Sequence, residues 1–156
     1  MNGPCVRGYT LIELILVIVL LATLGAVAGP RFFDTDSFDA RRYADELSAA
    51  LRYAQKVAVA SGCPVRADIG AAGYGLFQQP AAGGHCDTSS TTFDVPVRTA
   101  SGEPVQGSAP GDVTTTPAGS IVFDALGRTN LGADLLLSVG GRTITVRAAS
   151  GLVTSP

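Results

Sequence analysis

Histidine is almost absent from these 156 residues; His85 stands alone. Any Ser-His-Asp or Cys-His relay would rest on that one side chain, inside a glycine-rich loop, which argues against nucleophilic catalysis. Charge is scarce as well, at 15% of residues with a net charge of −2. A nucleic-acid binder carries a basic stripe, and only scattered Arg residues are visible here, so no nucleic acid is expected as a partner. Gly73-Tyr74-Gly75 and Gly83-Gly84 do not open a helix with a following Lys and Ser or Thr, so neither is a phosphate cradle. Asp34, Asp36 and Asp39 lack the glycine and the distal Glu of a calcium loop, and helix-start charge is the better reading. No enzyme activity, cofactor or metal is expected.

What the chain does have is apolar length. From Leu14 to Gly29 there is no charge, and with Tyr9 to Ile12 added the run reaches the roughly 20 residues that a bilayer core requires. One charge interrupts it, Glu13. A carboxylate inside a membrane helix costs about 2.5–3.5 kcal/mol by insertion scales, so it calls for a partner. A secretory signal has a shorter apolar region behind a basic leader; here only Arg7 precedes the run. Gly8 leaves its peptide bond open to a protease, since it has no Cβ. Pro30 should break the helix, and Arg31, Phe32 and Phe33 then suit the exit from lipid.

Gly8-Tyr9-Thr10-Leu11-Ile12-Glu13-Leu14, behind a short polar leader, resembles the cleavage and methylation site of type IV prepilins and type II secretion pseudopilins. The resemblance implies a leader over 1–8, cut between Gly8 and Tyr9 by a prepilin peptidase that also N-methylates Tyr9. It implies that Glu13 is the assembly carboxylate, pairing with the N-terminus of a neighbouring subunit. The family usually has Phe where this chain has Tyr9. The tail, with Ile121-Val122-Phe123-Asp124, Gly127-Arg128, Ile144-Thr145-Val146 and Gly151-Leu152-Val153, resembles H-type minor pseudopilins and FimT-like pilins, as does Leu51 to Ala58. The exit from Ala28 to Phe33 is similar to pilins of the mannose-sensitive haemagglutinin system.

That resemblance implies a minor subunit of a pilus or of a type II secretion pseudopilus, acting in assembly initiation or at the tip. A major filament-building pilin is the alternative within the family, and a membrane-tethered adhesive module the alternative from another class. The implied partners are other pilin-type subunits, the prepilin peptidase/methyltransferase, an inner-membrane assembly platform and, before assembly, the membrane. The implied location is the bacterial inner membrane with a periplasmic head, then the filament.

The remaining chain predicts an α+β fold: a long apolar helix over 9–30 continuing into a second helical segment over 31–62, packed on an antiparallel β head over 63–156. Tyr43, Leu47, Ala50, Leu51, Ala54, Val57 and Ala58 recur at three- and four-residue spacing and form one apolar face of a helix from about Phe38 to Ala60. Ser61-Gly62 is its stop, and Tyr43 and Tyr53 should pack under the head. Past Gly62 the period becomes two: Val65 to Ile69 and Tyr74 to Gln78 read as a hairpin. Phe93 to Val97 reads as a short strand with Pro96 at an edge. Ser120 to Asp124 follows, then a hairpin of Leu135–Val139 and Thr143–Arg147 around Gly140-Gly141. Residues 79–92 and 98–119 read as loops, the second a variable surface.

Three Cys are present. Cys5 would leave with the leader. Cys63 and Cys86 remain as an even pair in a domain placed outside the cytoplasm, where a disulfide between them is expected. The competing reading, a metal site of His85, Cys86 and Asp87, lacks a C-x₂-C spacing.

Overall fold

A computed structural model describes residues 9–28, 35–87 and 89–155. Two compact units divide the chain at Thr35. The first contains α1, Leu11–Ala28, which is apolar on every side. Gly8 and Pro30, at the cleavage site and the expected helix break, lie outside the described residues. Among the described residues no helix is long and apolar enough to cross a membrane. The span expected over 9–30 is shorter as described: 18 residues, about 27 Å at 1.5 Å each, against a hydrocarbon core of about 30 Å.

The second unit begins with α2, Thr35–Ser61. This helix starts three residues before the expected Phe38. Tyr43, Leu47, Ala50, Leu51, Ala54 and Ala58 are buried, as their spacing predicted, while Tyr53 is partly exposed and hydrogen-bonds through its hydroxyl to the Arg98 carbonyl. Gly62 ends the helix with a φ of 69°, a left-handed turn that glycine adopts without a Cβ penalty.

β1 (Val65–Gly70) and β2 (Gly73–Gln78) form the expected hairpin, with Ala67 opposite Leu76. β5 (Val95–Pro96) and β6 (Gln106–Ser108) share the outer edge of β2, and β8 (Gly119–Phe123) pairs with the far side of β1. Pro96 does sit at a sheet edge, where its missing N–H leaves no ladder bond unmade. A second antiparallel sheet runs β11 (Val153–Thr154), β10 (Arg142–Val146), β9 (Leu135–Val139), β7 (Thr115–Thr116). The two-residue turn Gly140-Gly141 has positive φ at both positions, as a type I′ hairpin requires. The head is thus two sheets sharing one core with α2 rather than one continuous sheet.

The stretches read as loops contain more structure than their composition suggests. Residues 98–119 supply β6 and β7. Within 79–92, β3 (Ala81–Ala82) and β4 (His85–Cys86) make a small hairpin around Gly83-Gly84.

Candidate assembly site

The start of α1 is built by three residues. Thr10 Oγ1 accepts the Glu13 amide at 3.3 Å, and the Thr10 carbonyl accepts the Leu14 amide at 3.2 Å. Thr10 therefore caps the helix, and Thr10-x-x-Glu13 is the sequence signature of a capping box. Glu13 falls in the first turn, where the positive end of the helix dipole favours a carboxylate. It is the single charge of α1. Tyr9 stands immediately before the helix and is 82% exposed.

The rest of α1 offers only apolar contact. Leu11, Ile12, Leu14, Leu16, Leu20 and Leu24 are all exposed. The hydroxyl of Thr23 is satisfied within the helix, donating to the Leu20 carbonyl at 2.9 Å. Gly25 presents bare backbone, with nothing within 4 Å of the position a Cβ would take. A cylinder of this kind is stable only in lipid or against other apolar helices.

The head carries its own fastenings. Cys63 and Cys86 form a disulfide with Cα atoms 5.2 Å apart, tying the β3–β4 hairpin to the end of α2. Gln79 Nε2 donates to the Ser90 carbonyl across the same excursion. Among the described residues no three His, Cys, Asp or Glu side chains gather as a metal site, and Cys86 is spent on the disulfide. Asp87 instead accepts from the Ser89 hydroxyl and amide, which holds its pKa below the usual carboxylate range.

Elsewhere on the head, Gln55 of α2 reaches two turns of the tail. Its Nε2 donates to the carbonyls of Gly127 and Ser150, each at 2.8 Å. The Gly127 turn is itself built on Asp124, whose Oδ1 accepts the amides of Leu126 and Arg128 at 2.9 and 2.8 Å. The Gly127 turn and the Ser150-Gly151 turn of the tail thus meet beside α2. Gln55 was not singled out in the sequence; its polar side chain at the border of the apolar face was the available signal.

Between α2 and β2, the Tyr74 hydroxyl donates to Glu46 Oε1 at 2.9 Å. Burial raises the Tyr74 pKa, and the Glu46 bond raises it further. Tyr43, 6.1 Å away ring to ring, is different. Its hydroxyl and Thr115 Oγ1 are both buried without a hydrogen bond of good geometry among the described residues. Burial raises the Tyr43 pKa, and the nearby Thr115 hydroxyl offsets this only in part.

Two family models match the sequence. The model for type II transport protein GspH matches residues 43–151, more than half of the chain, and the prokaryotic N-terminal methylation motif matches residues 4–29. Among proteins with curated descriptions, none matches. Two crystal forms of the type IV minor pilin FimU from Pseudomonas aeruginosa strain PAO1 have a similar fold, each at 16% identity. One covers 78% of this chain and 91% of FimU with a TM-score of 0.54; the other covers 74% and 91% with a TM-score of 0.50.

Proposed function

The chain belongs to the type II transport protein GspH family, and from that premise we propose that it is a minor pilin or pseudopilin processed between Gly8 and Tyr9. A subunit of this family is a structural part that assembles with other pilin-type subunits, not an enzyme. In this proposal the prepilin peptidase removes residues 1–8 and N-methylates Tyr9, leaving a mature chain that begins one residue before the Thr10 cap. The precursor waits in the bacterial inner membrane with its head in the periplasm. An assembly platform then moves α1 from lipid into the core of a filament.

The observation that carries this reading is the capped apolar helix with one carboxylate at its start. Transfer from lipid to a bundle of similar helices exchanges one apolar surrounding for another, so it costs little. Glu13 is the exception, because its charge is unfavourable in both places unless it meets a cation. The methylated N-terminus of a neighbour is such a cation, and it can pair only when the two helices are in one register. Pro30 would then mark the break between helix and head. The fold shared with a minor pilin supports a low-abundance role in assembly initiation or at the tip.

Mass spectrometry of the N-terminal peptide, from cells with and without the prepilin peptidase, tests this. A peptide beginning with N-methyl-Tyr9 only when the peptidase is present is the expected result. A chain that keeps Met1 in both strains, or one cut near Ala28, overturns it.

A further inference from the structure

The outward face of the first sheet carries a groove. Its volume is about 730 Å³, and it opens to solvent. Register places three rows of residues on this face. Gly70, Gly73 and Ser108 form one; Ser120, Asp68, Gly75 and Gln106 the next; Val122, Arg66, Phe77 and Pro96 the third. Gly73 and Gly75 add no side chains here, so the Gly107 carbonyl can close over Gly73. The Phe77 ring lies across Gly75, within 3.1 Å of where a Cβ would stand.

The polar groups at the rim are held in place. Asp68 is fixed by Arg66, whose Nε and terminal nitrogen donate at 3.1 and 2.9 Å. Arg66 is itself steadied by two rings, 5.9 Å from the centroid of Phe77 and 5.2 Å from that of Phe93. Gln106 and Ser108 are exposed at the edge strand β6.

We propose that this groove binds a neutral oligosaccharide, with Phe77 as its stacking platform and Asp68, Gln106 and Ser108 as its hydrogen-bonding rim. The size falls within the roughly 300–1,000 Å³ of ligand sites. Charge decides against an ionic ligand, because Asp68 and Arg66 already neutralise one another. The rim decides against a lipid, because an acyl chain would cover Asp68, Gln106 and Ser108 and leave them without partners. The main-chain groups of the floor are engaged in the sheet, which decides against strand addition. What remains matches sugar hydroxyls: a carboxylate to accept, an amide and a hydroxyl that both donate and accept, and a ring for the C–H face.

Saturation-transfer NMR on the full chain in a zwitterionic detergent tests this with three probes: chitotetraose, cellotetraose and mannotetraose. Transfer to at least one of them is expected. Asp68→Ala should then weaken it tenfold or more, as loss of a charged acceptor does. Gln106→Ala, at an exposed site, should weaken it several-fold with an unchanged thermal melt. No transfer to any of the three overturns the proposal. So does binding that Gln106→Ala leaves at the wild-type level. Neither result bears on cleavage at Gly8, which is read by the N-terminal peptide.

Discussion

Gln55 on α2 and Gly127 in the tail are joined by a 2.8 Å hydrogen bond, and the same side-chain amide also holds the Ser150 carbonyl at 2.8 Å. One side chain thus closes two turns that are far from it in sequence. Gln55→Ala would leave two carbonyls without their donor, at a cost of about 0.5–1.5 kcal/mol because water reaches the exposed Ser150 carbonyl. Gly151 is packed so closely here that a Cβ would meet the Gly127 carbonyl, and its φ of 66° disfavours any side chain. Gly151→Ala should therefore destabilise more than Gln55→Ala. Urea unfolding of both variants beside the wild type checks the order, and a wild-type midpoint for Gln55→Ala would show that the clasp contributes nothing.

Two tyrosines 6.1 Å apart should respond oppositely to loss of a hydroxyl. Tyr74→Phe removes the donor to Glu46 Oε1 at a part-buried site, so a loss of about 1 kcal/mol is expected. Tyr43→Phe removes a buried hydroxyl that has no well-formed hydrogen bond among the described residues. It should be neutral within about 0.5 kcal/mol or stabilising, since a buried polar group without a partner is a cost in the folded state. A large destabilisation by Tyr43→Phe would mean that this hydroxyl is bonded in solution.

Cys63 and Cys86 enclose a loop with a sequence separation of 23. In the chain-entropy model such a link contributes about 3–4 kcal/mol. Cys63→Ser with Cys86→Ser should lower the stability of the head by that order. Dithiothreitol should do the same to the wild type and nothing to the double variant. Unfolding midpoints with and without reductant measure both effects together.

The parts of the fold legible in the sequence are those where one pattern dominates. The Tyr43–Ala58 stripe, the alternation at Val65–Ile69 and the Gly140-Gly141 turn each announce an element locally. β6 and β7 do not, because Gln106–Ser108 and Thr115–Thr116 have neither apolar alternation nor length. They are strands only because β2 and β9 offer them an edge. The division into two sheets is likewise set by tertiary pairing that no local window contains. At the helix start the motif around Glu13 was plain, but the capping role of Thr10 was hidden behind it. The outward groove was invisible for another reason: its floor is made of glycines that read as turn residues, and its rim comes from separate strands.

Acid should weaken the tail turns before it affects the core. Burial pushes the Asp124 carboxyl up, but the amides of Arg128 and Leu126 and the Arg128 guanidinium outweigh it and leave its pKa below the usual range. The Ala148 amide, then Arg147, depresses Asp134 in the same direction. The unfolded chain therefore binds protons first, so this stability is present above the ordinary carboxylate pKa of about 3.9 and is lost as pH falls through the lower folded values. Urea midpoints at pH 7, 4 and 3 should fall steeply for the wild type. They should fall less for Asp124→Asn with Asp134→Asn, which starts lower at pH 7. Parallel pH curves for the two proteins would remove these carboxylates from the account.

On the proposed reading Glu13 separates anchoring from assembly: an apolar replacement should improve the first and impair the second. Glu13→Leu removes a charge that costs about 2.5–3.5 kcal/mol in a membrane helix, so the precursor should hold to the membrane at least as well as the wild type. The Thr10 cap engages the backbone amide of residue 13, not its side chain, and survives the change. What is lost is the single charge of α1, which in this proposal meets a neighbouring N-terminus. The variant should therefore reach the membrane with a folded, disulfide-bonded head, while its share in sheared filament or pseudopilus fractions falls at least tenfold. Glu13→Gln separates charge from hydrogen bonding: if an ion pair sets the register, Gln should fail nearly as badly as Leu. Immunoblots of membrane and filament fractions read both variants. Wild-type incorporation of Glu13→Leu would show that register is set by the apolar surface alone.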